Sequence, residues 1–248
     1  MSIRPRVIPS LLLRGGGLVK TRGFKAPVYV GDPINTVRIF NDKGVDELVL
    51  LDISATPEGR GPLFDLLSAI ASEAFMPLAY GGGIRIVDDA RKILTLGFEK
   101  VVINTAALES PHFIRELSEL TGSQSVVVSI DVRRKLLGRY EVYGSGGRKA
   151  TGLDPVRHAT AMQKMGAGEI LLNSIDCDGK MEGYDLELIR NVATAVDIPV
   201  IACGGAGSLA DLSAALQSGA DAVSAGSLFV FHGRHRAVLI SYPTNVKL

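Results

Sequence analysis

Short runs of aliphatic and β-branched residues recur along this chain, separated by turn residues and charged stretches. Because these runs are apolar at nearly every position, they are typical of strands buried on both faces of a sheet. The pattern predicts eight strands, near residues 6–13, 47–53, 76–81, 100–105, 125–132, 169–175, 199–203 and 221–226.

Stretches with the apolar spacing of helices lie between these runs. Residues 32–44 begin with Asp32 as N-cap and Pro33 at the first helical position, and Gly44 is the predicted C-cap. Asp154 repeats the Asp-Pro start. Regular alternation of strands and helices predicts an α/β protein with a parallel sheet.

The chain also repeats itself. Pro77 in MPLAYGGGI and Pro199 in IPVIACGGAG differ by 199 − 77 = 122 positions. GVDELVLLD and GAGEILLNS, which begin at Gly44 and Gly166, have the same offset. So do GFEKVVINTAA and GADAVSAGSLF, which begin at glycines 97 and 219. Three matches at one offset indicate a duplication.

Eight strand–helix units in 248 residues predict a (β/α)8 TIM barrel. The duplication makes it a single domain, 1–248, of two half-barrels at about 1–122 and 123–248. VIPSLLL then forms strand 1, and VVVSIDV forms its equivalent, strand 5. A doubly wound open sheet is the alternative fold.

Composition narrows the possible partners. There are 27 Lys and Arg against 26 Asp and Glu, so bulk charge favours neither nucleic acid nor an anionic membrane as a partner. No apolar run reaches the ~20 residues that a membrane-spanning helix requires. The N-terminus lacks a signal-peptide pattern, and neither Cys177 nor Cys203 lies in a Cys-x-x-Cys motif. We therefore expect a soluble, cytoplasmic protein.

Glycines and small polar residues follow the strands at the end where barrel enzymes carry their active site. Strand 3 ends in Gly81-Gly82-Gly83, strand 4 in Asn104-Thr105 and strand 8 in Gly226-Ser227; strand 7 is followed by glycines 204, 205 and 207. Glycine-rich turns let backbone N–H groups point at an anion. One such pair in each half predicts a substrate with a phosphate at each end. Alternatively, these glycines only form tight turns.

Carboxylates follow the same strand ends, at positions 52, 131, 176 and 178. A carboxylate there can act as general acid or base when its pKa is suitable. Asp178-Gly179 also suits a turn or a phosphate contact, and Asp176 to Gly179 lacks the spacing of a calcium loop. We expect no metal and no cofactor. His232 and His235 lack metal-ligand spacing and lie after strand 8, where a phosphate contact remains open.

Charged residues stand at the opposite ends of four strands. These residues are Arg6, Glu47, Lys100 and Glu169, and the two glutamates are equivalent in the duplication. Such charges often face solvent. If they converge on the barrel axis, they form a ring of opposite charges that closes the bottom and can serve as a gate.

These stretches resemble the HisF family, the cyclase subunit of imidazole glycerol phosphate synthase, over nearly the whole chain. The strongest matches include DELVLLDISA, GSQSVVVSIDVRR, GAGEILLNSIDCDG and PVIACGGAG. The resemblance implies a barrel that binds a substrate with two phosphates. It also implies a HisH-type glutaminase, which forms a heterodimer with the subunit at the barrel bottom and sends ammonia through the axis.

By resemblance, one phosphate lies near Gly83, Asn104 and Thr105. The other lies near Asp178, Gly179, Gly205, Gly226 and Ser227. Lys20 and Asp52 match further substrate-site positions, and Gln124 also matches. Arg6, Glu47, Lys100 and Glu169 match the ammonia gate of the family.

One departure concerns catalysis. The family uses an aspartate at the end of strand 1 and another at the end of strand 5. Here Asp131 is present, but Leu12 holds the strand 1 position, and Ser10 replaces a cysteine. Because an acid–base residue contributes typically ~10²–10⁴-fold, the standard cyclisation should be weak or lost. The C-terminal segment also departs from the family.

Three interpretations follow. The chain is a histidine-pathway synthase subunit with reduced activity; the family reaction converts phosphoribulosyl-formimino-AICAR-phosphate and ammonia to imidazole glycerol phosphate and AICAR. Alternatively, it resembles diverged HisF-type proteins of surface-polysaccharide pathways, which supply ammonia to a separate sugar amidotransferase that amidates a nucleotide-activated sugar in lipopolysaccharide biosynthesis. A third interpretation is a ligand-binding scaffold without a glutaminase partner, which leaves the gate residues unexplained.

Overall fold

Eight parallel strands close into a barrel in the computed structural model, which describes residues 4–233 and 235–243. The last barrel strand pairs with the first, in the register Arg6 to Ala222, which completes the ring. The TIM-barrel prediction is therefore confirmed. The barrel strands are β1 (Arg6–Arg14), β4 (Leu48–Asp52), β5 (Leu78–Gly81), β6 (Lys100–Ile103), β7 (Val126–Arg134), β10 (Glu169–Ser174), β11 (Val200–Cys203) and β12 (Ala222–Ala225).

Six further strands form antiparallel additions at the carboxyl end of the barrel. Strands β1 and β7 both continue into a hairpin, so the two halves carry the same kind of extension. The added strands are β2 (Gly17–Arg22), β3 (Lys25–Gly31), β8 (Tyr140–Gly144), β9 (Lys149–Ala150), β13 (Phe231–His232) and β14 (Ala237–Val238).

Helices connect the barrel strands and cover the outside of the barrel. They are α1 (Pro33–Asp42), α2 (Phe64–Glu73), α3 (Val87–Thr95), α4 (Thr105–Glu109), α5 (Pro111–Thr121), α6 (Pro155–Lys164), α7 (Leu186–Ala193), α8 (Leu209–Gln217) and α9 (Ser227–Val230). None of them, within the part of the chain that the structure describes, is long and apolar enough to cross a bilayer.

The predicted Asp-Pro helix starts are present in both halves. Asp32 accepts a hydrogen bond from the backbone of Asn35, and Asp154 does the same from Arg157. These side chains satisfy donors that have no partner inside the helix. The C-terminus of α1 differs by one residue from the prediction, since Lys43 is the C-cap. Gly44 follows it with a φ of 62°, the left-handed conformation that glycine adopts most easily.

The barrel interior is arranged in layers. Because alternate residues of a strand point to one face, Ile8, Val49, Ala79, Val102, Val127, Leu171 and Ile201 meet on the axis and form a cluster separate from the core outside the barrel. With Glu47 they line a gap of only about 10 Å³. Two positions further along, six of these seven strands carry smaller or polar residues, and β4 carries Leu51. The six are Ser10, Gly81, Asn104, Ser129, Asn173 and Cys203, and all seven residues line the mouth.

The helix after the last barrel strand is shorter than the predicted alternation of strands and helices implies. Helix α9 has four residues, and an extended segment then runs back to the bottom of the barrel. Its last contact is made by Tyr242, whose hydroxyl donates to Val7 O at 3.0 Å and lies 3.1 Å from Asp46 Oδ2. We call residues 237–243 the C-terminal strap.

Candidate active site and ion-pair ring

A cavity of about 1200 Å³ opens at the carboxyl ends of the barrel strands. All the substrate-site residues predicted from the sequence line it, and so does Leu12. They are Lys20, Asp52, Gly83, Asn104, Thr105, Asp131, Asp178, Gly179, Gly205, Gly226 and Ser227. The fold therefore brings residues from both halves of the chain to one site. Their individual roles remain predictions.

Asp131 is buried near the floor of this cavity. Burial raises its pKa from an ordinary 3.8 to about 7, and Asp178 adds to the rise, whereas Asn173 and Ser129 partly oppose it. Asn104 Nδ2 donates to Asp131 Oδ2 at 3.2 Å and to Ser129 O at 3.0 Å. A carboxyl group with this pKa can both give and take a proton near neutral pH.

Leu12 is half-buried at the end of β1 and lines the same cavity. It lies beside Leu51 of β4 and opposite Val19 of β2. Its surroundings on these two strands are therefore aliphatic. This side chain cannot accept, donate or carry a proton, so Asp131 has no carboxylate counterpart at the equivalent place of the first half.

Lys20 points into the site from β2 although it is only 5% exposed. Its Nζ donates to the backbone oxygen of Ser10. The amine also lies against Gly226, where an added Cβ would stand 2.2 Å from Nζ. Burial lowers the pKa of Lys20 to about 8, and Asp178 only partly offsets this.

Asp178 fastens the β2–β3 hairpin over the site. Thr21 Oγ1 donates to Asp178 Oδ2 at 2.8 Å, and the backbone N–H of Gly23 donates to Asp178 O at 2.9 Å. Burial raises the pKa of Asp178, while Thr21 and Lys20 lower it in part. The sequence left two roles open for Asp178-Gly179, a turn and a phosphate contact, and the structure shows the turn. Gly179 packs so closely against Thr21 O that a side chain at this position has no room.

Asp52 forms an ion pair with Arg60, a residue that the sequence analysis did not identify. Arg60 Nη2 lies 2.7 and 2.9 Å from the two carboxylate oxygens. The hydroxyl and backbone N–H of Ser54 and the N–H of Ala55 also donate to Asp52, at 2.9–3.1 Å. This carboxylate therefore organises the loop after β4. A basic residue shortly after a strand-end aspartate was the available signal.

The glycine turns have no room for side chains. A Cβ on Gly83 would meet Arg60 O at 2.7 Å, and one on Gly205 would meet Gly183 O at 2.0 Å. Gly83 and Gly205 also have positive φ angles of 72° and 123°. Close packing and backbone conformation are thus enough to explain glycine at these positions without any phosphate, as expected if the glycines only form tight turns. Both turns nevertheless present backbone at the cavity wall.

The four charged residues at the bottom pair with one another across the axis. Arg6 contacts Glu47 at 2.5 Å and Glu169 at 2.8 Å, and Lys100 contacts both glutamates at 3.1 Å. Burial works against the charge of Arg6, but Glu169 and Glu47 raise its pKa on balance. The four charged side chains therefore converge on the barrel axis and do not face solvent separately. We call these four residues the ion-pair ring.

Two further residues merit note. Asn173 is 7% exposed, lies in register with Asp131, and its Oδ1 has no hydrogen-bond partner among the described residues. An asparagine at the end of an apolar strand was the signal for it. By contrast, His232 and His235 are exposed in the last hairpin and do not line the cavity.

Comparisons with known proteins agree with this architecture. The family model described as "Histidine biosynthesis protein" matches residues 6–236. A Pseudomonas aeruginosa protein, provisionally named imidazole glycerol phosphate synthase subunit hisF2, is 54% identical and covers 99% of this chain and 98% of its own length. A provisionally named HisF subunit from Leptospira interrogans is 50% identical, over 97% and 96% of the two chains.

The imidazole glycerol phosphate synthase subunit HisF of Streptomyces griseus is 46% identical, with 93% of this chain and 92% of its own covered. The similarity thus spans both halves, the mouth and the ion-pair ring. This chain belongs to the HisF family of imidazole glycerol phosphate synthase subunits.

Proposed function

We propose that this chain receives ammonia from a HisH-type glutaminase through the barrel and delivers it to a phosphorylated small molecule in the mouth. The observation that carries the proposal is the ion-pair ring, which closes the axis at the end opposite the cavity. A glutaminase that covers the ring would deliver ammonia to the aliphatic layer on the barrel axis, which lies between the ring and the mouth.

The layer above the ring favours neutral ammonia over ammonium. Seven aliphatic side chains, from Ile8 to Ile201 along the chain, surround the narrow gap on the axis. An ion loses its hydration in such surroundings at a large cost, whereas neutral ammonia has little hydration to lose. The ring has to open for passage, and Arg6, whose side chain is 29% exposed, is the member that a docking partner can reach most easily.

The reaction in the mouth is the family reaction in weakened form, namely cyclisation to imidazole glycerol phosphate with release of AICAR. Asp131 supplies one proton-transferring group, and the glycine turns at Gly83 and Gly205 hold the two phosphates. Leu12 removes the second carboxylate. We expect the rate to fall by ~10²–10⁴-fold relative to a family member with both aspartates.

A second candidate function is favoured by the same substitution. The ring is complete while the acid–base pair is not. A paralogue that only conducts ammonia, to a separate sugar amidotransferase that amidates a nucleotide-activated sugar for lipopolysaccharide, needs the first feature but not the second.

The test measures imidazole glycerol phosphate formation with free ammonium and then with a HisH-type glutaminase plus glutamine. We expect glutamine turnover in the complex and a cyclase rate at least ~10²-fold below that of a two-aspartate HisF protein. Equal rates would refute the loss of function, and failure to bind any glutaminase would leave the scaffold interpretation.

Leu12→Asp tests the cause. It should raise the ammonium-dependent rate if only this carboxylate is missing. Leu51→Asp is the matched control, because Leu51 lies beside Leu12 on the neighbouring strand and lines the same cavity. Recovery in Leu12→Asp alone supports the first function; recovery in neither variant favours the second.

A further inference from the structure

The amine of Lys20 occupies an unusual place in the mouth. It is buried, yet it borders the cavity between the backbone of Ser10 and Gly226. Gly226 and Ser227 form the turn after β12, which belongs with Gly205 to the second predicted phosphate site. A molecule whose phosphate sits on this turn therefore has its next few carbon atoms close to the Lys20 amine.

The surroundings of Lys20 favour a neutral, nucleophilic amine. Its Nζ bonds to Ser10, two positions before Leu12 on the same strand, and Leu12 provides a hydrocarbon wall where the family has a carboxylate. Asp178 opposes this effect, but it is engaged with Thr21 and its own pKa is raised by burial. With its pKa lowered to about 8 by burial, Lys20 has a substantial neutral fraction near that pH. Lysines desolvated in this way are nucleophiles toward carbonyl groups.

We propose that Lys20 forms an imine with the carbonyl carbon of an open-chain sugar phosphate, a ketose or aldose phosphate, whose phosphate is held at Gly226 and Ser227. This activity goes beyond the proposed function, and it rests on that function for the phosphate-binding turn and for Asp131 as the proton-transferring group. It requires no glutaminase and no ammonia.

The step balances with groups of this site. The Nζ lone pair attacks the carbonyl carbon, and the carbonyl oxygen takes the proton of the Asp131 carboxylic acid. One nitrogen proton returns to the Asp131 carboxylate, which then gives a proton to the departing hydroxyl. The C–O bond breaks to release water, and the nitrogen lone pair forms the C=N bond. Amine, carbonyl compound and carboxylic acid thus become iminium ion, water and carboxylate.

Reductive trapping tests the proposal on the isolated full-length chain. The protein is incubated with dihydroxyacetone phosphate and sodium cyanoborohydride, and the modified residue is located by peptide mass spectrometry. We expect one adduct, on Lys20, whose rate of formation is highest between about pH 7 and about pH 8 and falls on either side, since the step needs a neutral Lys20 and a protonated Asp131. Dihydroxyacetone without phosphate should react at least ~10-fold more slowly, since it lacks the charge-assisted contacts. Inorganic phosphate should compete.

Variants separate the site from general lysine reactivity. Lys20→Arg and Lys20→Met should lose the adduct, whereas Lys149→Arg, at an exposed lysine of the β8–β9 hairpin, should keep it. Thermal unfolding shows whether each variant is folded. If both Lys20 variants unfold, competition by phosphate on the unmodified protein still decides the matter.

Leu12→Asp gives the sharpest contrast. A carboxylate in the cavity that Leu12 and Lys20 both line should raise the pKa of Lys20 and suppress trapping, whereas the same variant should improve the cyclase reaction. Adducts spread over exposed lysines, or trapping unaffected by Lys20→Arg, would overturn the imine proposal. Neither result would bear on the glutaminase complex, so the two proposals can fail separately.

Discussion

At the residue scale, Asp131 shows how burial sets chemistry. Its neighbours are an amide, Asn104, and a second carboxylate, that of the half-buried Asp178, with no cation among the groups that shift its pKa. The proton is therefore held to about pH 7 in the folded state. Stability should respond to this difference, since the unfolded chain releases the same proton near pH 4.

The Asp131→Asn variant tests that consequence. Between about pH 4 and pH 7 the folded protein binds more protons than the unfolded chain, so the raised pKa makes unfolding easier as pH rises. Because asparagine does not ionise, it makes no such pH-dependent contribution to the free energy of unfolding. The variant should therefore gain stability relative to the parent from pH 4 to pH 8, by at most ~4 kcal/mol at ~1.4 kcal/mol per pKa unit.

Urea unfolding at several pH values measures this gain. Asp176→Asn is a suitable control, since Asp176 lies at the same rim but is only half-buried. A difference between Asp131→Asn and the parent that stays constant with pH would contradict the raised pKa.

At the element scale, the C-terminal strap stands where the barrel would otherwise have a full-length helix, and few hydrogen bonds hold the strap in place. Leu239 N donates to Val230 O and Ser241 N donates to Phe229 O, both at 2.9 Å. The ring centroids of Tyr242 and Phe229 lie 5.6 Å apart, and the Tyr242 hydroxyl hydrogen-bonds to Val7 O and Asp46 Oδ2 near the starts of β1 and β4. Because the strap makes so few backbone bonds, its attachment depends heavily on this one side chain.

Truncation of Tyr242 should therefore be costly. Tyr242→Phe should lower the free energy of unfolding by ~1–2 kcal/mol, because Val7 O loses its buried donor. Tyr242→Ala should cost ~3–5 kcal/mol, as for other buried aromatic residues. Denaturant unfolding measures both. Tyr29→Phe, at an exposed tyrosine, should change stability by less than ~0.5 kcal/mol; an equal loss there would argue against a special role for the strap.

At the scale of the whole molecule, the barrel separates two polar clusters along one axis, and the proposed function gives each of them a different task. The charged ring closes one end, and the titratable cluster lies at the other, with a single aliphatic layer between them. Changes in the ring should therefore alter ammonia delivery without altering chemistry in the mouth.

Arg6→Gln tests this separation. It removes one of the two cations that bridge Glu47 and Glu169, and Lys100 remains, so we expect a loss of ~1–3 kcal/mol in stability. With a glutaminase partner, product formed per glutamine hydrolysed should fall, while activity with free ammonium is retained. Arg4→Gln, at an exposed position just before the ring, is the control. An equal loss with free ammonium would show that the ring also shapes the mouth.

The sequence by itself determined the barrel, the strand positions and the place of Leu12. These follow from local signals, since apolar runs mark buried strands and residues at strand ends meet at one face. The duplication strengthened them, because equivalent segments must occupy equivalent positions. The predicted substrate-site residues came partly from strand ends and partly from the family resemblance, and the structure shows that they all line one cavity.

Only the tertiary structure decided which groups neutralise each other. Arg6 and Glu169 are 163 positions apart, and nothing in the periodicity of either strand indicates whether their charges meet or face water. The pairing of Asp52 with Arg60 depends on the path of one loop, and the strap depends on which surface the last residues cover. The pKa values of Lys20 and Asp131 depend on burial, which arises when the barrel closes and the hairpin folds over its mouth.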